Sequence, residues 1–489
     1  MIAASVLGAG IVFIDGTVVN VALPAIGRTF HSGLATLQWT VTAYTLTLAA
    51  FILVGGSIGD RYGRRRSFIV GVLWFAAASL ACGLAPNATV LILARALQGV
   101  GAALLTPESL AILQAAFRPQ DRAQAIGTWS GMSGIATAIG PFVGGYLIQA
   151  VSWRLIFLIN LPLVVAVVWI ARRRVPETSD PTAVGRLDLA GASLATVGLG
   201  TLIYGLIQGA DAGWTTTGVL AALAISVAVA LAFVIVERSV KNPMLPFAIF
   251  RARQFTAANL VTFMVYGALG GSLFLLPLQL QQVLGYSPLE AGTALLPITF
   301  VMLALSARAG QLSQRIGPRL PMTLGPIVAG GGLAALSLVQ PGTTYLGTFL
   351  PAIVVFALGL ALTVSPLTAT VLAAAPIEHA GLASAVNNAV ARAAGLIAVA
   401  VLPAAAGLTA ASYLHPAVFG SGFRHAMWLA GGACALGGVV SALTIRREPG
   451  AAPAAEESPR YSCPLDAPLL CTGEGDEPFA CGPNDGPAA

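Results

Sequence analysis

From residue 2 to residue 445 the chain is a succession of apolar runs broken by short segments of arginine, glycine and proline. A run of about 20 apolar residues is long enough to cross a bilayer, and in lipid only a helix keeps its backbone polar groups paired. Fourteen such runs are expected, centred from Ile14 at the first to Gly437 at the last. Composition agrees: of 489 residues 57% are hydrophobic and 9% charged, where a soluble domain carries about 25% charged residues. The 55 glycines and 30 prolines do not count against helices, because close packing and locally re-satisfied kinks tolerate both in membranes. An ordinary soluble enzyme is excluded, and the first apolar run, with no basic segment ahead of it, reads as a retained span rather than a signal peptide.

The formal net charge of +6 is a sum over two unlike pieces. From Gly450 onward seven acids face one arginine, in a stretch of Ala, Pro, Glu and Gly that reads as a disordered cytoplasmic tail. The body before it carries 24 basic and 12 acidic side chains. Fourteen spans with both termini cytoplasmic put 20 of the 25 basic residues in inner loops and three, Arg28, Arg154 and Arg424, outside. Arg95 and Arg392 remain within the bilayer. That asymmetry is the positive-inside pattern of a multi-pass protein of the cell membrane, not the clustered basic surface of a nucleic-acid binder.

Two inner loops resemble each other. Gly56 to Arg65 and Gly310 to Arg319 share Gly, Arg, Gly and Arg at an offset of 254, and Pro119 to Ala123 echoes Pro376 to Ala380 at an offset of 257. Either Gly/Arg-rich loops coincide by chance, or the chain holds two parallel six-helix halves. The second reading divides it into a bundle over 1–175, two inserted helices over 176–245, a second bundle over 246–449 and the tail over 450–489.

Scarcity of charge makes the remaining charged residues informative. Arg95 in the fourth span costs about 2.5 to 3.5 kcal/mol even on a lenient insertion scale, so it needs a polar cavity and a partner. Asp15, mid-depth in the first span, is the obvious acid. The pair is either a site whose protonation answers to conformation and substrate, through opposing effects of burial and the arginine, or a fixed strut between helices; Gln98 and Asn20 can extend either. Arg392 with Asn387 and Asn388 in span thirteen is a second polar group able to line a cavity. Asp60 among Gly56, Arg61, Gly63 and Arg64 can form a charge network at the cytoplasmic mouth, although the arginines alone would serve topology. In the fifth span Gly134, Gly140, Pro141, Gly144 and Gly145 make a flat, bent helix face suited to a rocking interface, in a spacing that is common in membrane helices. Glu108 falls roughly 140° around the helix from Arg95 and is not expected to share its face. Glu378 and His379 read as a solvated loop pair.

Five ordered blocks, Asp15 to Pro24, Gly56 to Arg66, Arg95 to Pro107, Gly134 to Gly145 and Trp153 to Pro162, resemble the fourteen-helix drug:proton antiporter family of the major facilitator superfamily. The resemblance implies an all-α membrane protein in which two six-helix bundles, with two helices inserted between them, expel an amphipathic compound by alternating access. The proton gradient would supply the energy, with no cofactor and no metal. It further implies that Asp60, Arg61, Gly63 and Arg64 stabilise the outward-facing state, that Arg95 and its acidic partner Asp15 couple protons, and that Gly140, Pro141, Gly144 and Gly145 form the interface favouring export. The partners expected are a small amphipathic substrate, protons and lipid, with no nucleic acid, around a monomer. No carboxylate lies deep in spans nine to fourteen, which leaves cation selection by an acid there without support.

Two other readings start from the same residues. An importer of a small nutrient could use this fold, though the Gly140-Pro141 block counts against it. A lipid-linked transferase would need acids or histidines clustered at a membrane face, whereas the four histidines are scattered. No nucleotide-binding loop supports an ATP-driven pump. Cys82, Cys434, Cys463, Cys471 and Cys481 match no metal spacing and read as inert thiols.

Overall fold

The computed structural model describes residues 1–117, 119–179, 188–240, 245, 247–374, 380–409, 412–413 and 415–446. The tail from Gly450, with its three cysteines, and the Glu378-His379 pair lie outside the described residues. Among those described there is no strand.

The chain runs through α1 (Ile2–Phe30), α2 (Leu34–Tyr62), α3 (Arg64–Gly83), α4 (Ala88–Ala116), α5 (Pro119–Ala150), α6 (Leu155–Leu158), α7 (Asn160–Arg174), α8 (Leu189–Ala212) and α9 (Thr217–Ser239). After a short 3-10 turn it continues through α10 (Arg253–Leu278), α11 (Pro288–Ala294), α12 (Leu296–Ile316), α13 (Arg319–Leu336), α14 (Leu350–Ala373), α15 (Ala380–Ala405) and α16 (Pro416–Thr444). The sixth run is broken at Ile159 into α6 and α7, where Pro162 follows and the helix restarts.

Twelve helices among the described residues are long and apolar enough to cross a membrane, and α2, bent by 49° between Ile52 and Val54, adds a thirteenth if its arms form one span. The fourteen spans expected are therefore not all recovered on length and apolarity. The run that falls short is α13, an 18-residue helix that opens on Arg319 and contains two further prolines and Gly330–Gly332. It packs against both α14 and α16, so its small-residue faces meet protein where a more hydrophobic helix would meet lipid.

Packing divides into two groups. In the first, α1 packs on α5, α4 on α2 and α3, and α7 on α3 and α1; in the second, α10 packs on α15 and α16, and α14 on α12 and α13. The hairpin of α8 and α9 rests on α2 and α15, one helix from each group. The loop repeat has a counterpart in packing. Gly63 (φ 106°) ends α2 and Gly317 (φ 84°) ends α12, both in backbone conformations that favour glycine. Just beyond, a β-carbon at Gly71 would lie 3.1 Å from the Gly101 carbonyl, and one at Gly325 would lie 2.9 Å from the Gly359 carbonyl. Glycine thus permits the same close crossing, α3 on α4 and α13 on α14, with Gly71 and Gly325 at the offset of 254 and the glycines they meet at 258.

The two groups touch near the ends of their helices that carry few arginines. Gln38 Nε2 donates to the Val399 carbonyl at 2.8 Å, and Gln281 Nε2 to the Val21 carbonyl at 2.9 Å. Short α11 lies against α5.

Candidate functional site

Asp15 is carried mid-way along α1, and Arg95 two turns into α4, whose start is capped by Asn87 accepting from Val90 N at 2.9 Å. Where the helices cross, Arg95 Nη1 donates to Asp15 Oδ2 at 2.5 Å and to Gln98 Oε1 at 2.7 Å, while its Nε donates to the Thr40 carbonyl at 3.1 Å. Gln98 Nε2 donates to Asp15 Oδ1 at 2.9 Å and to Ser79 Oγ at 3.2 Å. Asn160 Nδ2, from the first turn of α7, donates to Ser79 Oγ at 2.9 Å and reaches Asp15 Oδ1 at 3.4 Å. The guanidinium also lies over the Tyr44 ring, 4.2 Å from its centroid.

This network ties five helices together, α1, α2, α3, α4 and α7, and is closed to solvent, with Asp15 0% and Arg95 1% exposed. A buried pair is tolerable only when its remaining lone pairs and protons are also satisfied, and the amides of Gln98 and Asn160 do that for the second carboxylate oxygen. In this arrangement Asp15 is sealed away from both water and substrate. Asn20, expected to extend the network, does not join it: its Oδ1 is enclosed without a hydrogen bond. Ser79, Tyr44 and Asn160 are the members that were missed as contributors. Their signal was a polar group in an apolar span, and Asn160 stands within the Trp153 to Pro162 block.

At the arginine-rich end, Asp60 Oδ1 accepts from Arg64 Nε at 3.0 Å and Nη2 at 2.8 Å. The charge network expected around Asp60 is instead shared with Glu177. Glu177 accepts from the Arg65 backbone N at 3.0 Å and lies 3.6 Å from the guanidinium groups of Arg65 and Arg66. Gly63 lets this acid approach, since a β-carbon there would meet Glu177. Gly56 faces Pro107, and Arg61 sits half-buried in the last turn of α2. Glu108 stands close over Gly59, apart from the Arg95 network, with 1% exposure and neither carboxylate oxygen hydrogen-bonded.

The α5 glycines separate into two sets. A β-carbon at Gly140 would strike Thr17, one at Gly144 would strike Val18, and one at Gly145 would strike the Pro288 carbonyl of α11. Gly292 of α11 in turn faces the Pro141 carbonyl. Pro141 removes an amide that would otherwise hold the helix straight, and its carbonyl becomes part of the contact. Gly134, with Gly127 and Gly131, has nothing within 4 Å. The expected interface therefore occupies only the second half of the helix, and Gly134 lies in open space.

In α15, Asn387 Nδ2 donates to Asn259 Oδ1 at 3.1 Å and to Thr262 Oγ1 at 2.7 Å, fastening α15 to α10. Asn388 is exposed and turns back to the Ser384 carbonyl. Arg392 Nε is enclosed without a hydrogen bond. The three residues expected as one polar group thus have separate surroundings. No group of three His, Cys, Asp or Glu able to hold a metal occurs among the described residues.

Residues 5–399 match the model of the Major Facilitator Superfamily. The chain is 37% identical over 384 residues to the multidrug resistance protein Stp of Mycobacterium tuberculosis, covering 78% of this chain and 71% of that one. It is 36% identical to the puromycin resistance protein pur8 of Streptomyces alboniger, covering 83% and 81%. With the tetracenomycin C resistance and export protein of Streptomyces glaucescens it shares 34% identity over 81% and 73%. Among solved structures, a bacterial homolog of the human lysosomal transporter Spinster, inward-facing and unoccupied, superposes with a TM-score of 0.66 at 18% identity, covering 91% and 96%. Sequence and fold agree with the helix packing: the chain belongs to the Major Facilitator Superfamily and is a multi-pass membrane transporter, not an enzyme.

Proposed function

We propose that this transporter exports drugs, antibiotics or other amphipathic small molecules across the cell membrane in exchange for protons. The observation that carries the reading is identity of 34% to 37%, over most of the chain, to three proteins whose names are of drug or antibiotic resistance or export. The reading takes fourteen crossings, made up of the twelve apolar helices, bent α2 as one, and α13, which falls short on apolarity. In this arrangement 1–175 and 246–449 are the two moving bundles, 176–245 the inserted pair, and both termini are cytoplasmic. The unit is a monomer, and no cofactor takes part.

Alternating access accounts for the distribution of contacts. Glycine-mediated closure of α5 on α11 at the arginine-poor end, with Gly127, Gly131 and Gly134 open towards the other, is what an inward-facing state requires. Asp15 and Arg95 are the coupling pair, and proton exchange at Asp15 belongs to a conformation in which the crossing of α1 and α4 loosens. The loop of Asp60, Arg61, Gly63 and Arg64, in which Asp60 and Arg64 are already paired, stabilises the outward-facing state through contacts that form when the cytoplasmic side closes.

Inside-out vesicles energised by respiration test the proposal. Addition of a transported compound is expected to release protons from the acidified lumen, and Asp15→Asn to abolish that release. Release unchanged in the variant removes Asp15 from the coupling; no release with any compound of a resistance screen removes proton-coupled export.

A further inference from the structure

Two hydrogen-bond donors in the membrane interior, one from each group of helices, have no acceptor. The Tyr44 hydroxyl of α2 is enclosed and unbonded in a side chain 3% exposed. Arg392 Nε of α15 is enclosed and unbonded as well. The two helices pack together, and the Arg392 charge acts on the Tyr44 phenol. A guanidinium keeps its proton in any protein environment, so charge neutralisation there has to come from an anion.

Among the described residues no acid pairs with Arg392. Between residues 246 and 446 the sequence holds two acids, Glu290 and Glu378. Glu290 is occupied in the capping box of α11, where it accepts from Ser287 N at 2.8 Å. Glu378 lies outside the described residues. Asp15 is filled by Arg95, Gln98 and Asn160, and Glu108 stands over Gly59 at the arginine-rich end. Gly16 of α1, beside Asp15, and Asn388, one turn before Arg392, are exposed although both lie mid-span.

We propose that Arg392 and Tyr44 form an anion subsite, in which a carboxylate or phenolate of the transported molecule accepts from both. The chain then selects acidic amphipaths over cationic ones, and the bound anion bridges the two groups of helices. This inference deepens the export reading and rests on it.

Fluorescein and rhodamine 6G carry opposite charge on the same ring system and separate the cases. Binding to the purified full chain in lipid nanodiscs, followed by fluorescence anisotropy, is expected to favour fluorescein by about tenfold or more, which is about 1.4 kcal/mol. Arg392→Gln is expected to remove that preference, Tyr44→Phe to weaken it, and Arg392→Lys, which keeps the charge, to retain most of it. Elution of each variant as a single species establishes that it is folded. Rhodamine 6G bound as tightly as fluorescein, fluorescein binding unchanged in folded Arg392→Gln, or no binding of either dye overturns the subsite. Failure of the export reading gives a different pattern: fluorescein binds through Arg392, yet proteoliposomes move neither dye under a proton gradient.

Discussion

Gly292 lies against the carbonyl of Pro141 with no room for a β-carbon between them. A short helix of the second group thereby closes on the bent helix of the first, and glycine is what lets two backbones meet without intervening side chains. Replacing Gly292 by Val overpacks the contact, at a cost of about 1 to 3 kcal/mol. Hydrogen exchange is expected to rise in residues 139–147 and 288–294 together, with a fall in transport; exchange unaltered in both segments would mean that this contact does not seal the arginine-poor end.

Asp15 and Arg95 are expected to behave as a unit. Removing either partner alone leaves an uncompensated buried charge and destabilises by about 3 to 5 kcal/mol. The double variant Asp15→Asn, Arg95→Gln should lose clearly less than the sum of the singles, as residues in one network do. Thermal unfolding of the four proteins in one detergent measures this, and strict additivity would contradict the pairing.

Asp60 differs because its pair with Arg64 is partly exposed, with side chains 39% and 19% accessible. Such pairs contribute about 0.2 to 1 kcal/mol. Asp60→Asn is therefore expected to leave the melting temperature nearly unchanged while slowing transport several-fold through the gate. A melting shift as large as that of Asp15→Asn would place Asp60 in the scaffold instead.

Glu108 holds two enclosed oxygens without hydrogen bonds beside Gly59. Leaving a buried polar group unsatisfied costs about 1 to 3 kcal/mol, so Glu108→Leu is expected to raise stability. Gly59→Ala is expected to be harmful in the wild type and milder in a Glu108→Ala background, since the carboxylate is what the new methyl meets. Equal effects of Gly59→Ala in both backgrounds would show that some other contact sets the limit at this glycine.

Much of the architecture was legible because a bilayer leaves few options. Apolar runs of span length had to be helices, and the scarcity of charge made Asp15, Arg95 and Arg392 conspicuous. The run that falls short of a span on apolarity is α13, whose glycines and Arg319 lower its hydrophobicity and which packs on α14 and α16. The gate was read one acid short, since Glu177 lies 112 residues from Arg65 in the chain and loop composition gives no sign that a segment folds back to it. Gly134 looked continuous with Gly140 and Gly144, but a spacing of small residues marks a flat face without saying whether another helix covers it.

The sequence by itself determined the class, the helical elements, the charge asymmetry and the residues out of place in lipid, because each follows from local hydrophobicity and the cost of burying charge. Only the tertiary structure decided which of those residues satisfy one another. Asp15 is consumed by Arg95, Gln98 and Asn160, whereas Arg392 and Tyr44 keep unused donors. That outcome depends on how helices far apart in the chain cross, and hydrogen bonds of a few ångströms are set by those crossings rather than by spacing along any one helix.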